Sequence, residues 1–572
     1  MPVFFNGRLW ISPATMSVVD DSAMFNRGLS VGNVLALVGR SEGGEPGTAI
    51  RLGGPQQARQ ILRGGEGLKA VEKAFDPSSQ TGAPSEVVFV RVNPAVQASL
   101  MLQNASAANV IELKSTDYGL YTNQIKVKIE AGTNRGLKVS TQLDNDYFVQ
   151  DDIFRDAFEV QYLGAEASAV MSIDGDELSL QAPSGSVVAT LDLNTYKTVQ
   201  QVVDRINAVS GFSASVLDGN ANKPTLNGLD YVTAQDVKTT AYTAKADLQA
   251  VVDWFNSQAE GFVTATRVAS VGSAPAAINW TYLAGGSDGV VTNGEWAAAY
   301  DDVLQSVDVQ WVVPLSSEPS IHAMNDSHVA YMSNIARMER RGICGTPLDT
   351  TDAEAIAAAK ALNSDRTSLV HIGFYDFNEA GELTLYEPYI LAALIAGAFS
   401  GSNPGTPLTN KALKVRGLER KLRNPTDTDQ LIKGGVLAVE DTPTGYKVVQ
   451  SITTWLINDN YNRVEISTGV ALDFVARNVR NAVDVLRGEK GTPIVLARAV
   501  NITESTLREL ARAEPQGPGV LAGDEQSPPY KNITASLEGD VLRIEFQCSP
   551  VIPVNYIPVT IFAVPYSGTA SA

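Results

Sequence analysis

The chain has 572 residues, 44% hydrophobic and 19% charged, too long for one hydrophobic core and ordinary for a folded multidomain protein. Its 44 Lys+Arg against 63 Asp+Glu leave a formal charge of −19, which argues against bulk nucleic-acid binding and favours solubility at high concentration. The two cysteines, Cys344 and Cys548, form neither a disulfide framework nor a zinc spacing, which points to a reducing compartment.

The opening "MPVFFNGRLWISPATMSVVDD" has no basic segment followed by a sustained apolar one, so no secretory signal is expected. Within it, "VFFNGRLWI" sets Asn6-Gly7 between apolar runs, a strong hairpin signal. A lone two-stranded hairpin is marginal in water. Phe4, Phe5, Leu9 and Trp10 are therefore expected to bury against something else, and residues 1–25 read as an arm.

Residues 26–109 begin an α/β core. "VLALVGR" and "EVVFVRV" are buried-type strands, with helices at "PQQARQILRGG" and "GLKAVEKAFD" between them. Residues 110–283 change character, with short strands, Gly/Asp/Asn turns and two helices ("TVQQVVDRINAVS", "AKADLQAVVDWFNSQ"). That pattern is an inserted β-rich domain. The α/β rhythm returns over 284–424 with strands "VDVQWVVPL", "GICGTPL" and "TSLVHIGFY" separated by helices, which implies a mainly parallel sheet covered on both faces. There the uncharged run from Pro388, which contains "YILAALIAGAF", holds only about 12 continuous apolar positions before Ser400, against roughly 20 for a membrane span, so it reads as a buried helix and no stable membrane insertion is expected.

Residues 425–558 read as α+β. A short helix "TDTDQLIKGG" carries a Thr426/Asp429 capping pair and Gly434 at its end. The helix "ALDFVARNVRNAVDVLRG" has an apolar stripe of Leu472, Val475, Val479, Val483 and Leu486. Its opposite face carries Arg477, Arg480 and Arg487, with i,i+4 pairs Asp473–Arg477 and Arg480–Asp484. "NITASLEGDVLRIEFQCSP" gives two strands around Glu538-Gly539-Asp540. The last run, "VIPVNYIPVTIFAVPY", is apolar on both faces over Val559, Ile561 and Phe562, while Pro553 and Pro558 disfavour a central strand. Residues 559–572 read as a second arm, a strand for another molecule's sheet edge.

The search for a reaction centre finds only weak patterns. "GGSDG" (Gly285–Gly289) matches G-x-S-x-G, so a hydrolase using Ser287 is the rival reading, but a nucleophile elbow needs a helix straight after the serine, and here "VVTNGE" intervenes before helical residues resume near Trp296. "VGRSEGGEPGT" lacks the Gly-Lys-Ser/Thr of a phosphate loop, and "DGNANKPTLNGL" lacks a calcium loop's glycine and glutamate. No metal cluster or catalytic carboxylate pair stands out, so neither a cofactor nor enzyme activity is expected. A basic run, Lys411, Lys414, Arg416, Arg420, Lys421 and Arg423, is either a solvated helix face or a contact to an acidic surface.

The order of several segments resembles the tail sheath proteins of contractile bacteriophages. They are "NVLALVGRSEGGEPGTAIRLGGPQQARQILRGG", "VVFVRVNPA", "LAGGSDGVVTNGEWAAAYDDVLQSVDVQWVVP", "ILAALIAGAFSGSNPGTPLTNKAL", "DQLIKGGVLAVED", "ALDFVARNVRNAVDVLRG" and "YKNITASLEGDVLRIEFQCSPVIPVNYIPVTIFA". The resemblance implies a virion-tail protein, built in the host cytoplasm, that stacks as hexameric rings around a tail tube, with the sheath of a phage-derived contractile particle or secretion system as the alternative. It further implies baseplate and tail terminator proteins as partners, strand-exchanging arms, a non-catalytic middle domain of subtilisin-like fold and an outward-facing insertion. Because the family meets its tube through the C-terminal domain, Arg477, Arg480 and Arg487 become candidate tube- or subunit-facing residues, with Lys414, Arg420 and Lys421 beside them.

Overall fold

The apolar runs on either side of the β-rich interval come together in one six-stranded sheet. In spatial order its strands are Thr367–Val370, Arg341–Gly345, Trp311–Pro314, Val34–Gly39, Glu86–Arg91 and Ala49–Leu52. The first five run parallel and the sixth antiparallel. The computed structural model describes residues 3–5, 8–10, 33–258, 261–268, 272–566 and 568.

Strand periodicity sorts this sheet's side chains into two cores. Leu35, Leu37, Val87, Phe89 and Val313 face the helices Gly65–Phe75 and Pro388–Ser400. Ala36, Val38, Val88, Val90 and Val312 face the helices Asn293–Ala298 and Pro319–Asn334. Apolar residues at successive positions are thus required by helices on both faces.

The greasy run is the helix Pro388–Ser400, and every one of its residues is buried. Phe399 stacks on Trp311 with 4.8 Å between ring centroids. A Cβ at Gly397 would stand 2.3 Å from the Ala74 carbonyl oxygen, so glycine is what lets this helix and Gly65–Phe75 approach so closely. Among the described residues no helix is long and apolar enough to cross a membrane.

The β-rich interval holds two nested cores and starts at the strand Ser99–Gln103, ahead of residue 110. The outer core joins Ala98–Ile153 to Leu248–Leu283 around the helix Asp247–Ser257. The inner core, Ala157–Ala246, is built on the helix Val199–Asn207 and has its own sheets.

In the C-terminal region the helices Ile466–Val483 and Pro493–Leu510 pack together through Phe474, Val475, Leu507 and Leu510. A two-stranded hairpin, Tyr530–Glu538 with Val541–Cys548, leans on them through Tyr530, Ile533 and Phe546.

Three expectations need correction. The short helix is Asp429–Lys433 with Thr428 at its N-cap, so Thr426 and Asp429 form no capping pair, although Gly434 does close it. The basic run is no helix face, because it contains the strands Ala412–Leu413 and Gly417–Leu418 of two different sheets. In the long helix, Val475 and Val479 are buried as the stripe requires, but Arg477 is buried too.

Candidate assembly surfaces

At the N-terminus, Val3–Phe5 pairs antiparallel with Arg8–Trp10, Phe4 opposite Leu9 and Val3 opposite Trp10. This sheet has two strands and shares no ladder with another described strand. The stretch that follows it, residues 11–32, lies outside the described residues.

The C-terminal segment leaves the body in steps. Val551 donates its N–H to the Val520 carbonyl (3.1 Å), and Asn555 Nδ2 donates to Glu465 Oε1 (2.6 Å). From Tyr556 to Tyr566 the chain has no secondary structure and, among the described residues, no backbone–backbone hydrogen bond. Its side chains are bare: Val559 is 74% exposed, Ile561 85% and Phe562 86%. A soluble chain rarely leaves a contiguous apolar run in water unless another surface covers it. The hairpin Tyr530–Glu538/Val541–Cys548 shows the complementary deficit, two strands with both outer edges unpaired.

The basic candidates divide by burial. Arg477 does not present a free cation: its Nη1 reaches both Asp308 oxygens (2.9 and 3.0 Å) and its Nη2 donates to the Glu339 carbonyl (2.9 Å). Arg480 pairs with Glu339 and donates to the Arg337 carbonyl (2.7 Å). Asp473, expected to serve Arg477, instead accepts from Arg341 (3.0 Å) and Arg366 (2.7 Å). Among the described residues Arg487 pairs only with its neighbour Asp484, and it stays 80% exposed. Lys414 pairs with Asp76, and Arg420 with Asp352 and His371. Lys421 and Arg423 are exposed, with no ion pair among the described residues.

The enzyme-like strings turn out to be joints. Ser287 exchanges backbone hydrogen bonds with Val96, and its hydroxyl makes none among the described residues. Asp288 Oδ1 accepts from Leu120 N (3.0 Å) and from the buried guanidinium of Arg91 (3.3 Å). Arg91 also donates to the carbonyls of Gly44 (2.7 Å), Tyr118 (3.0 Å) and Glu42 (3.1 Å). One side chain thus ties together the 42–44 loop, the start of the insertion and its return. Asn220, in the calcium-like loop, is spent on the Asp156 and Leu217 carbonyls. Burial holds His328 down to about 3, and burial together with Arg420 holds His371 down to about 4, so both stay neutral near pH 7. No histidine bonds Ser287, and among the described residues no His/Cys/Asp/Glu group could hold a metal.

No family model matches the chain. The tail sheath protein of Bacillus phage SP01 is 28% identical to it over 99% of this chain and 98% of its own length. The putative tail sheath protein of Enterococcus phage phiEF24C is 28% identical over 96% of both. The chain is a homologue of phage tail sheath proteins. The solved sheath tail protein from Listeria innocua covers 92% of this chain and 94% of its own, at 13% identity and a TM-score of 0.55. That from Desulfitobacterium hafniense covers 95% and 100%, at 12% identity and a TM-score of 0.52. These two share its fold.

In this sheath homologue, two features escaped sequence reasoning. The ion pairs that reach across from the long helix to the sheet depend on Asp308, Glu339, Arg341 and Arg366, which are remote in sequence. The bare C-terminal run begins at Tyr556, three residues ahead of the expected arm. Loss of alternation after Pro553 was its signal.

Proposed function

We propose that this chain is the structural subunit of a contractile tail sheath, polymerising as stacked hexameric rings around a tail tube. In this reading residues 1–25 and 559–572 are arms that add strands to neighbouring copies. Phe4, Phe5, Leu9, Trp10, Val559, Ile561 and Phe562 are their contact residues. The unpaired edges of the Tyr530–Cys548 hairpin are the natural receiver. The extended lattice, restrained by tube and baseplate, shortens by ring rotation and drives the tube through the host envelope. Tube, baseplate and terminator proteins are the partners, the virion tail is the site of action, and no nucleotide is consumed.

The observation that carries this reading is the run Tyr556–Tyr566, apolar, bare and without backbone partners. Covering it on a neighbour would gain about 1.5–3 kcal/mol per Val, Ile or Phe side chain and about 0.5–1.5 kcal/mol per backbone hydrogen bond. Repeated over many subunits, such terms hold a lattice together while its rings move. Among the surviving basic candidates, Arg487 and Lys421 are free to meet a tube or a neighbour, whereas Arg477 is committed within the chain.

Electron microscopy of the full-length protein, alone and co-expressed with a tube protein, tests this. Long hollow tubes with six-fold end views are expected. A chain lacking 559–572 should keep its melting temperature but form no tubes. Tubes from the truncated chain would remove the arm from the lattice, and small particles under both conditions would overturn the sheath reading.

A further inference from the structure

The outer core of the β-rich interval ends in a four-stranded sheet, ordered Asp146–Ile153, Leu137–Leu143, Lys126–Ala131 and Ile278–Tyr282. One face is core, with Val127, Ile129, Val139 and Leu143 buried. The register puts Tyr147, Gln142, Lys126 and Tyr282 in one row across the other face. Among the described residues nothing covers that row: Tyr147 is 50% exposed and Tyr282 57%.

The rings are held in place. Tyr147 and Trp280 come from the two edge strands and meet over the sheet with 6.2 Å between centroids. Tyr147 also donates to Ser140 Oγ at 3.2 Å. Lys126 Nζ sits 5.2 Å from the Trp280 ring and 6.0 Å from the Tyr282 ring. Its ammonium has no carboxylate partner among the described residues, whereas Lys128 is paired with Glu130. The Trp280 indole N–H and the Tyr282 hydroxyl also make no hydrogen bond there.

We propose that this face binds an anionic polysaccharide, with Tyr147, Trp280 and Tyr282 stacking on sugar faces and Lys126 meeting an acid group between them. Three features favour that occupant. The apolar surface consists mostly of ring faces, which match the flat C–H faces of pyranose sugars. It lies on an open sheet, which suits an extended polymer. Its centre is an uncommitted cation in a chain of formal charge −19, so the surface is complementary to acid groups that most of the molecule repels. A cation held between rings stays available, because its attraction to the ring faces leaves its outward N–H donors free. The proposal uses only this face and is independent of assembly.

The test is retention of the unassembled full-length chain on immobilised polygalacturonate, heparin and phosphomannan, with dextran and poly-glutamate as comparisons. Retention on at least one anionic glycan, above dextran and poly-glutamate, is expected. Trp280→Ala with Tyr282→Ala should weaken it at least tenfold, and Lys126→Ala should weaken it and lower its salt sensitivity. All three positions are solvent-facing, so an unchanged melting temperature will show that the variants fold. No retention on any anionic glycan, or retention unchanged in the double variant, overturns the proposal. Equal retention on poly-glutamate also overturns it and makes the face a protein-docking surface.

Discussion

A single buried arginine accounts for the most enzyme-like string in this chain. The glycines and aspartate of Gly285–Gly289 let the returning chain reach Arg91, whose side chain is fully shielded from solvent. Arg91→Ala would strand the carbonyls of Gly44, Glu42 and Tyr118 without a donor, each worth about 1–3 kcal/mol when buried. A loss of at least about 3 kcal/mol is expected in chemical denaturation. The neighbouring Ser287→Ala is expected to change stability by less than about 0.5 kcal/mol, since its hydroxyl bonds nothing among the described residues. Its assembly should be unchanged, and loss of a hydrolytic activity on Ser287→Ala would reverse this assignment. The motif was legible as a tight turn, but its partner Arg91 lies nearly 200 residues upstream (|i−j| = 197), which spacing rules do not reach.

Elements whose signal is local were readable, and those whose signal is tertiary were not. The strands Val34–Gly39, Glu86–Arg91 and Trp311–Pro314 appear as apolar runs, and Pro388–Ser400 as a helix too short for a membrane. Ala49–Leu52 was missed because a four-residue edge strand carries little period. The helix Pro493–Leu510 was missed although Pro493 at its first turn marks a start, since few of its residues are buried. The junction of the nested cores gives a pH prediction. Asp230, from the inner core, accepts from the Asp247 (3.0 Å) and Leu248 (3.2 Å) N–H groups and so caps the helix Asp247–Ser257 of the outer one. Burial, opposed by those two bonds, and then the neighbouring Asp247 charge, opposed by Arg267, lift its pKa from 3.8 to about 6. Ionising Asp230 is therefore harder in the folded chain than in the unfolded one. Its contribution to stability is complete below pH 3.8 and falls as pH rises to about 6, by up to about 3 kcal/mol. Asp230→Asn lacks this term. Between pH 4 and pH 7 the stability difference should move in the variant's favour by about that amount, and a constant difference measured by denaturant titration would refute the assignment.

At the scale of the molecule, charged side chains join the C-terminal region to the sheet. The long helix Ile466–Val483 is tied by ion pairs to residues at the starts of the sheet's strands Arg341–Gly345 and Thr367–Val370. Asp473 is shared by Arg341 and Arg366, whose side chains are 5% and 17% exposed. Gly469 lies under the Arg341 guanidinium, and a Cβ there would stand 2.2 Å from Nη2. Glu339, 7% exposed, takes both Arg477 and Arg480. Read along the helix, the same residues had suggested i,i+4 pairs, because sequence spacing shows charges but not which strand lies opposite. Buried pairs are costly to break one-sidedly, since the surviving charge keeps its desolvation penalty. Asp473→Ala removes the carboxylate that two arginines share and should lower stability by about 3–5 kcal/mol. Arg487→Ala breaks only an exposed pair with Asp484 and should cost less than about 1 kcal/mol. Scanning calorimetry of the unassembled chain separates two accounts of the Asp473 loss. If the ion pairs couple the two regions, Asp473→Ala splits off an early C-terminal transition while the sheet's own transition keeps its temperature. If the whole profile shifts down as one, the apolar contacts of Ile466 and Val470 with the sheet's core hold the regions together and the charges serve only to orient them.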